Sequence, residues 1–242
     1  MRAAVLSDIH ANRQALEAVL GAVDEAGVDE IWCLGDLVGY GADPDACTAL
    51  MRERASLCLV GNHDLALLGA LDISTFSEAA AAAVEWTRQN AAEDTVEFLR
   101  SLEPAASRDG VGLFHASPRD PIWEYVLSTD QADAGLDAQE ERVGLIGHSH
   151  IALFFVRAAG HAQGAQAPGG TEVELGEGEW LLNPGSVGQP RDGDPHAAWL
   201  ELDTEGWLAR YHRLPYDVEA AAAAIREAGL PEVLAERLEL GR

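Results

Sequence analysis

The sequence predicts an α/β fold in which a mainly parallel sheet is faced by a second sheet. Short apolar runs alternate with helix-period segments as far as Val60, the order expected of parallel strands joined by right-handed crossovers. From Ala152 to His212 the pattern changes to short strands with glycine-rich turns, which suits a second sheet. Blocks of aspartate and histidine follow most of the apolar runs, at the strand ends where open α/β sheets build their sites.

Arg2-Ala3-Ala4-Val5-Leu6 reads as a buried strand ending at Ser7-Asp8. Asn12–Ala26 carries Leu16, Val19, Leu20 and Val23 at helical spacing, and Gly27 stops it. Glu30–Leu34 is a second strand, ended by Gly35-Asp36. Asp43 caps a helix that starts at Pro44 and runs to about Arg54. Leu57–Val60 is a third strand, ended by Gly61-Asn62. Ser77–Leu102 is helical in two pieces that meet near Asn90, with Pro104 beyond it. Val111–Phe114 delivers His115, and Val143–Ile146 delivers His148 and His150. The later strands are Ala152–Ala158, Glu172–Leu175, Trp180–Asn183, Ala197–Leu202 and Trp207–His212. Gly160–Gly170 reads as a mobile loop of small residues. Asp217 caps a helix to Ala228, stopped by Gly229, and Pro231–Leu240 forms one more. The division is a main domain over 1–213 and a C-terminal helical extension, 214–242, packed on the same domain.

The length of 242 residues fits one large domain, and a 48% hydrophobic content supplies its core. No stretch approaches the ~18 apolar residues of a membrane span, and the N-terminus does not read as a signal peptide. Three cysteines without CxxC spacing suit a reducing compartment, so the expected location is cytoplasmic and the expected partners include no membrane. A net charge of −25 repels nucleic acid and disfavours stable binding to it. The oligomeric state is left open.

The polar blocks are Asp8-Ile9-His10, Gly35-Asp36, Gly61-Asn62-His63-Asp64, His115 and Gly147-His148-Ser149-His150. Each is common alone, but together and in this order they supply enough ligands to close a two-metal site. Asp8 and His10, two apart, point the same way from a strand end. Asp36 can bridge two cations with its two oxygens. Asn62 offers a neutral carbonyl oxygen, and His115, His148 and His150 offer imidazoles. Oxygen and nitrogen donors without thiolate favour manganese, iron, cobalt, nickel or zinc over calcium or magnesium; we expect two divalent transition-metal ions, manganese or iron first. Two such ions bring about +4, Asp8 and Asp36 about −2, and a bridging hydroxide about −1. The net positive remainder attracts phosphate, and the expected chemistry is in-line attack of the bridging hydroxide on a phosphoester. His63 is assigned to protonating the leaving oxygen or stabilising the equatorial oxygens. Asp64 either orients His63 or caps the next segment.

These blocks resemble the calcineurin-like metallophosphoesterase superfamily, whose pattern is Asp-x-His, Gly-Asp, Gly-Asn-His-Asp/Glu, His and Gly-His-x-His. The resemblance covers roughly residues 1–213, and Asn183-Pro184-Gly185-Ser186-Val187-Gly188 resembles a segment of the small bacterial phosphodiesterase branch. It implies a four-layer α-β-β-α sandwich of two mixed sheets flanked by helices. It also implies one metal on Asp8, His10, Asp36 and His150, and another on Asp36, Asn62, His115 and His148. Serine/threonine phosphatases of the superfamily carry an Asp and an Arg where this chain has Gly39 and Tyr40, which argues against a phosphoprotein phosphatase.

Candidate substrate contacts are Asn12, Tyr40, Arg119 and Arg191, each with a competing role: helix cap for Asn12, packing for Tyr40, surface ion pair for the arginines. Trp123 and Tyr125 either wall a pocket or pack a loop. His161, His196 and His212 read as surface or turn histidines. The expected activity is dimetal hydrolysis of small phosphoesters, phosphodiesters or nucleotides ahead of monoesters. The alternatives are a single-strand nuclease, weakened by the acidic charge, and a non-catalytic binding module, which should show broken ligand blocks.

Overall fold

The computed structural model describes residues 1–242. Its strands are β1 (Arg2–Leu6), β2 (Glu30–Cys33), β3 (Leu57–Cys58), β4 (Ala105–Arg108), β5 (Val111–Phe114), β6 (Val143–Leu145), β7 (Ala152–Arg157), β8 (Gln163–Gln166), β9 (Glu172–Glu174), β10 (Glu179–Pro184), β11 (Ala197–Asp203) and β12 (Leu208–Leu214). Its helices are α1 (Arg13–Ala26), α2 (Pro44–Arg54), α3 (Asn62–Leu67), α4 (Glu78–Asn90), α5 (Glu93–Arg100), α6 (Thr129–Leu136), α7 (Val218–Glu227) and α8 (Glu232–Leu240).

The strands form two six-stranded mixed sheets, ordered β3-β2-β1-β11-β12-β9 and β4-β5-β6-β10-β7-β8. Period-2 alternation decides which side chains meet between them. Ala3 and Val5 of β1, Trp32 of β2 and Leu200 and Leu202 of β11 pack against Val111, Leu113, Val143 and Leu145 of the other sheet. The alternate residues Ala4, Leu6, Ile31, Cys33 and Trp199 face outward and bury the apolar stripe of α1, Leu16, Val19, Leu20 and Val23. On the outer face of the second sheet, Ala132 and Leu136 of α6 cover Leu153, Phe155 and Leu181. The result is a four-layer α-β-β-α sandwich. Each fully buried aliphatic side chain contributes about 1.5–3 kcal/mol, so the strand ends that carry the polar blocks are anchored in two apolar layers.

The first three strands are parallel, as their crossover helices require. The expectation that the later strands make a sheet of their own is corrected. β1 pairs antiparallel with β11, and β10 pairs parallel with β6, so both sheets mix early and late strands. Gly160–Gly170 is not one loop: Gln163–Gln166 pairs along β7 as an edge strand. β4, α3 and α6 lie outside the sequence expectations. The two C-terminal helices pack on each other and, through Ala221, Ile225, Leu234 and Leu238, form a cluster with Tyr40 and with Ala80 and Ala83 of α4. No helix is long and apolar enough to cross a membrane.

Candidate metal centre

The polar blocks converge at the carboxyl ends of β1, β2, β3, β5 and β6. Their loops are zipped to one another by backbone hydrogen bonds. The N–H groups of Asp8, His10 and Ala11 donate to the carbonyls of Gly35, Asp36 and Leu37 at 3.1, 2.9 and 2.8 Å. Side chains extend the zip: His148 N–H donates to Asp8 Oδ2 at 3.0 Å, and His63 N–H donates to Asp36 Oδ1 at 2.8 Å. Asp8, His10, Asp36, His148 and His150 all adopt left-handed backbone, with φ of 55, 51, 54, 63 and 60°. Such conformations cost energy in non-glycine residues and cluster where side chains must be aimed at a site.

Asp36 lies at the middle of the arrangement. Its Oδ2 is 3.6 Å from His10 Nε2 and 3.7 Å from His115 Nε2. On one side, His150 Nε2 is 3.4 Å from Asp8 Oδ1 and 3.0 Å from His10 Nε2. On the other, His115 Nε2 is 3.0 Å from Asn62 Oδ1, and His148 gathers with Asp36 and His115. Three of the rings are oriented by their other nitrogen: His10 Nδ1 to Val38 O at 3.1 Å, His115 Nδ1 to Leu34 O at 2.9 Å and His150 Nδ1 to Gln189 O at 2.6 Å. A carbonyl accepts a hydrogen bond, so each Nδ1 carries the proton and each Nε2 presents its lone pair inward.

These residues fit two divalent cations. Asp8 Oδ1, Asp36 Oδ2 and His148 Nε2 are buried without any hydrogen-bond partner, a costly state for polar atoms unless a ligand meets them. Metal–donor bonds on the order of 2.1 Å put neighbouring donors about 3.0–3.4 Å apart, close to the spacings found here. Burial pushes the Asp8 carboxyl up to about 7, with Asp36 adding to the rise. Burial first, then Asp64, holds the Asp36 carboxyl well above the usual carboxylate range. The same burial holds His10 and His150 well below the ordinary histidine value and pushes His148 down to about 2, so the imidazoles are neutral donors.

The remaining sequence candidates separate in space. Asp64 accepts from the N–H groups of Asp36 and Gly61 through Oδ2 and of Val38 through Oδ1, at 2.8, 2.9 and 3.1 Å. Of its two expected roles it fills the capping one, and no hydrogen bond joins its carboxylate to His63. His63 lines a cavity of about 450 Å³ together with Asp36, Asn62 and His148. Its Nδ1 is buried without a partner, beside Gly39. A Cβ at Gly39, where φ is +87°, would stand 2.5 Å from that nitrogen. Tyr40 and Arg191 line the same cavity, with Arg191 donating to the Tyr40 hydroxyl at 3.3 Å. Trp123 and Tyr125 line it too, Tyr125 stacked on His148 at 4.2 Å. Asn12 instead caps α1, accepting from Ala15 N–H at 3.1 Å and donating to Gly188 O at 2.8 Å. Arg119 is ion-paired with Glu124 outside the cavity. His161, His196 and His212 lie away from the site, on Asp133, on Asp194 and stacked on Trp199.

Two groups of residues lacked an assigned role in the sequence. Asn183 donates to Gly147 O and Ser149 Oγ, while Ser186 Oγ donates to Asp8 O, at 2.8, 3.0 and 2.7 Å. The Asn-Pro-Gly-Ser-Val-Gly turn thus ties the Asp8 loop to the His148 loop. Phe76, Arg237 and Arg242 line the cavity. Phe76 lies in a short turn, and the arginines lie more than a hundred positions after most of the ligands, so no local motif marks them.

Residues 1–205 match the model of the calcineurin-like phosphoesterase superfamily domain. An uncharacterized protein of Methanocaldococcus jannaschii is 39% identical over 245 residues, covering 99% of this chain and 98% of its own. The crystal structure of a metallophosphoesterase from Sphaerobacter thermophilus superposes with a TM-score of 0.90 at 36% identity, covering 100% of this chain and 99% of the other. A hypothetical protein from Pyrococcus horikoshii shares the fold, with a TM-score of 0.79 at 20% identity over 100% and 98% of the two chains.

Proposed function

The chain belongs to the calcineurin-like phosphoesterase superfamily, and on that premise we propose that it hydrolyses phosphoesters with two divalent transition-metal ions, phosphodiesters or nucleotides ahead of monoesters. The observation that carries this reading is two buried donor sets, Asp8–His10–His150 and Asp36–His115–His148, joined where Asp36 approaches His10, with Asp8 Oδ1, Asp36 Oδ2 and His148 Nε2 unpartnered. When bound, such ions supply Lewis acidity, lower the pKa of a coordinated water and offset phosphate charge.

The chain's own residues do the rest. His10, His115 and His150 are fixed in tautomer and direction by backbone carbonyls, so the site is organised before substrate arrives. His63 is the proton donor to the leaving oxygen. With Nδ1 packed against Gly39 and buried, Nε2 is the nitrogen left for substrate. Burial and Arg191 hold this imidazole well below the ordinary histidine value, and the negative charge of an incoming phosphoester offsets the Arg191 contribution. Arg191, braced on Tyr40 and Gln189, is placed to hold a non-bridging phosphate oxygen. Preference for diesters is supported by Gly39 and Tyr40, which replace the Asp and Arg of the phosphoprotein phosphatases.

The test is hydrolysis of bis-p-nitrophenyl phosphate and p-nitrophenyl phosphate with manganese and with chelator, beside Asn62→Ala and His63→Ala. The expected result is metal-dependent activity, higher on the bis-ester, with His63→Ala lowering kcat by about 10²–10⁴-fold while metal content is kept. A folded protein inactive with every transition metal would overturn the reading.

A further inference from the structure

The cavity over the donor atoms is also lined by three arginines, Arg191, Arg237 and Arg242. The chain sets 16 cationic side chains against 41 acidic ones, so an arginine here meets a carboxylate by default. Arg2, Arg13, Arg52, Arg54, Arg108, Arg119, Arg157, Arg210, Arg213 and Arg226 do so. Arg88 and Arg142 grip backbone carbonyls instead. Only Arg100 and the three cavity arginines have neither kind of partner.

Their neighbours do not neutralise them. Asp192, next to Arg191, is paired with Arg213. Asp194 accepts from His196. Glu232 and Glu239 of α8 both close on Arg226. The backbone behind the arginines is fixed as well. Gly241, at φ 63°, accepts from Gly193 N–H at 2.9 Å, and a Cβ there would meet Asp194 backbone at 2.7 Å. Arg242 N–H closes on Arg237 O at 3.1 Å. The end of α8 is therefore docked on the loop that carries Arg191. The same cavity is lined by Phe76, Trp123 and Tyr125; the tryptophan and tyrosine are 37% and 42% exposed, which leaves aromatic surface free to stack.

We propose that Arg237 and Arg242, next to Arg191 in the cavity lining, form a subsite for a second phosphate, so that the preferred substrate is a nucleoside polyphosphate. One phosphorus sits at the metal centre, the next phosphate is held by guanidinium forks, and the base lies on the aromatic lining. Guanidinium matches phosphate oxygens in pairs, and in a chain of charge −25 these side chains stay free of carboxylate partners. This rests on the hydrolase reading for the first phosphate and adds the second.

The test is titration calorimetry of the full chain loaded with manganese, using AMP and the non-hydrolysable α,β-methylene-ADP. The diphosphonate should bind about tenfold or more tightly than AMP, through charge-assisted contacts to the arginines. Arg237→Gln with Arg242→Gln should erase most of that preference, and Arg237→Lys with Arg242→Lys should restore part of it. Arg242→Gln alone, outside α8, should reduce it measurably and serves if the double variant melts early. Equal affinities in the wild type, or a preference unchanged in the double variant, would overturn the subsite. A retained preference in a protein that hydrolyses no phosphoester would support the subsite and overturn the hydrolase reading alone.

Discussion

His10 Nε2 and His150 Nε2 face each other at 3.0 Å, and the Nδ1 of each ring is committed to a backbone carbonyl. Two lone pairs therefore point at one another in a buried space that also holds the unpartnered Oδ1 of Asp8. Like partial charges at this distance repel unless a cation lies between them. The arrangement stores unfavourable electrostatics that metal binding relieves, and it is paid for by the two apolar layers under the strand ends.

Removing metal should therefore lower stability markedly. At a hundredfold excess over Kd each site adds about 2.7 kcal/mol. A change of 1 kcal/mol moves Tm by about 2–4 °C in a chain of this size. Chelation should lower Tm by roughly 5–10 °C per site on these figures. Asp8→Asn should raise the Tm of the chelated protein, because it removes a buried unpaired charge, and should also abolish most of the gain on adding manganese. A melting curve indifferent to chelator would contradict the assignment.

Metal affinity should rise with pH up to about neutrality. Burial, with Asp36 adding, pushes the Asp8 carboxyl up to about 7 in the metal-free protein, and only the carboxylate binds a cation. Below that value the metal must displace a proton from Asp8 and above it that proton is already gone, while Asp36, held well above the usual carboxylate range by burial and by Asp64, yields its own proton to the metal as well. The histidines do not compete in this range, since burial holds His10, His148 and His150 below their ordinary value. Calorimetry in buffers of different ionisation enthalpy should show more proton release on metal binding at about pH 6 than at about pH 8.5, the difference coming from Asp8. Equal release at both, or a difference between the two that survives Asp8→Asn, would sink this account.

Asp64→Asn should loosen the centre without touching the reacting atoms. Asp64 accepts three backbone N–H groups, and an amide nitrogen would face at least one of them. The expected cost is about 1–3 kcal/mol of stability and a 10–100-fold loss of metal affinity, the usual range for groups that orient ligands. At saturating metal, kcat should recover and its pH profile should match wild type. A shifted pH profile at saturation would show instead that Asp64 acts through His63.

The residues of the candidate metal centre were legible because each lies in a contiguous block beside an apolar run, so local patterning exposes it. What decides sheet membership is not local. β1 pairs with β11 almost two hundred residues away, and no periodicity in either strand names its partner. The edge strand Gln163–Gln166 is exposed along its whole length, so it lacks the alternation that marks a half-buried strand. Arg237 lies within α8 and Arg242 just beyond it, and the docking of Gly241 on Gly193 brings them to the cavity. Asp64 shows the limit within a motif: adjacency to His63 left two roles open, and the hydrogen bonds choose between them.

Gly39→Asp should fail to create a phosphatase. The sequence position is that of the aspartate which orients histidine in the phosphoprotein phosphatases, yet here φ is +87° and a Cβ would lie 2.5 Å from His63 Nδ1. The substitution forces both left-handed strain, about 1–2 kcal/mol, and displacement of the His63 ring, which is packed between Tyr40 and Phe76 at centroid distances of 4.4 and 5.1 Å. Tm should fall, and kcat on both p-nitrophenyl esters should drop together, because His63, the proposed proton donor, is moved and not merely retuned. A variant with unchanged Tm and raised kcat on the monoester alone would mean that His63 has room to accept an orienting carboxylate, and that the packing of Gly39 against it does not set its position.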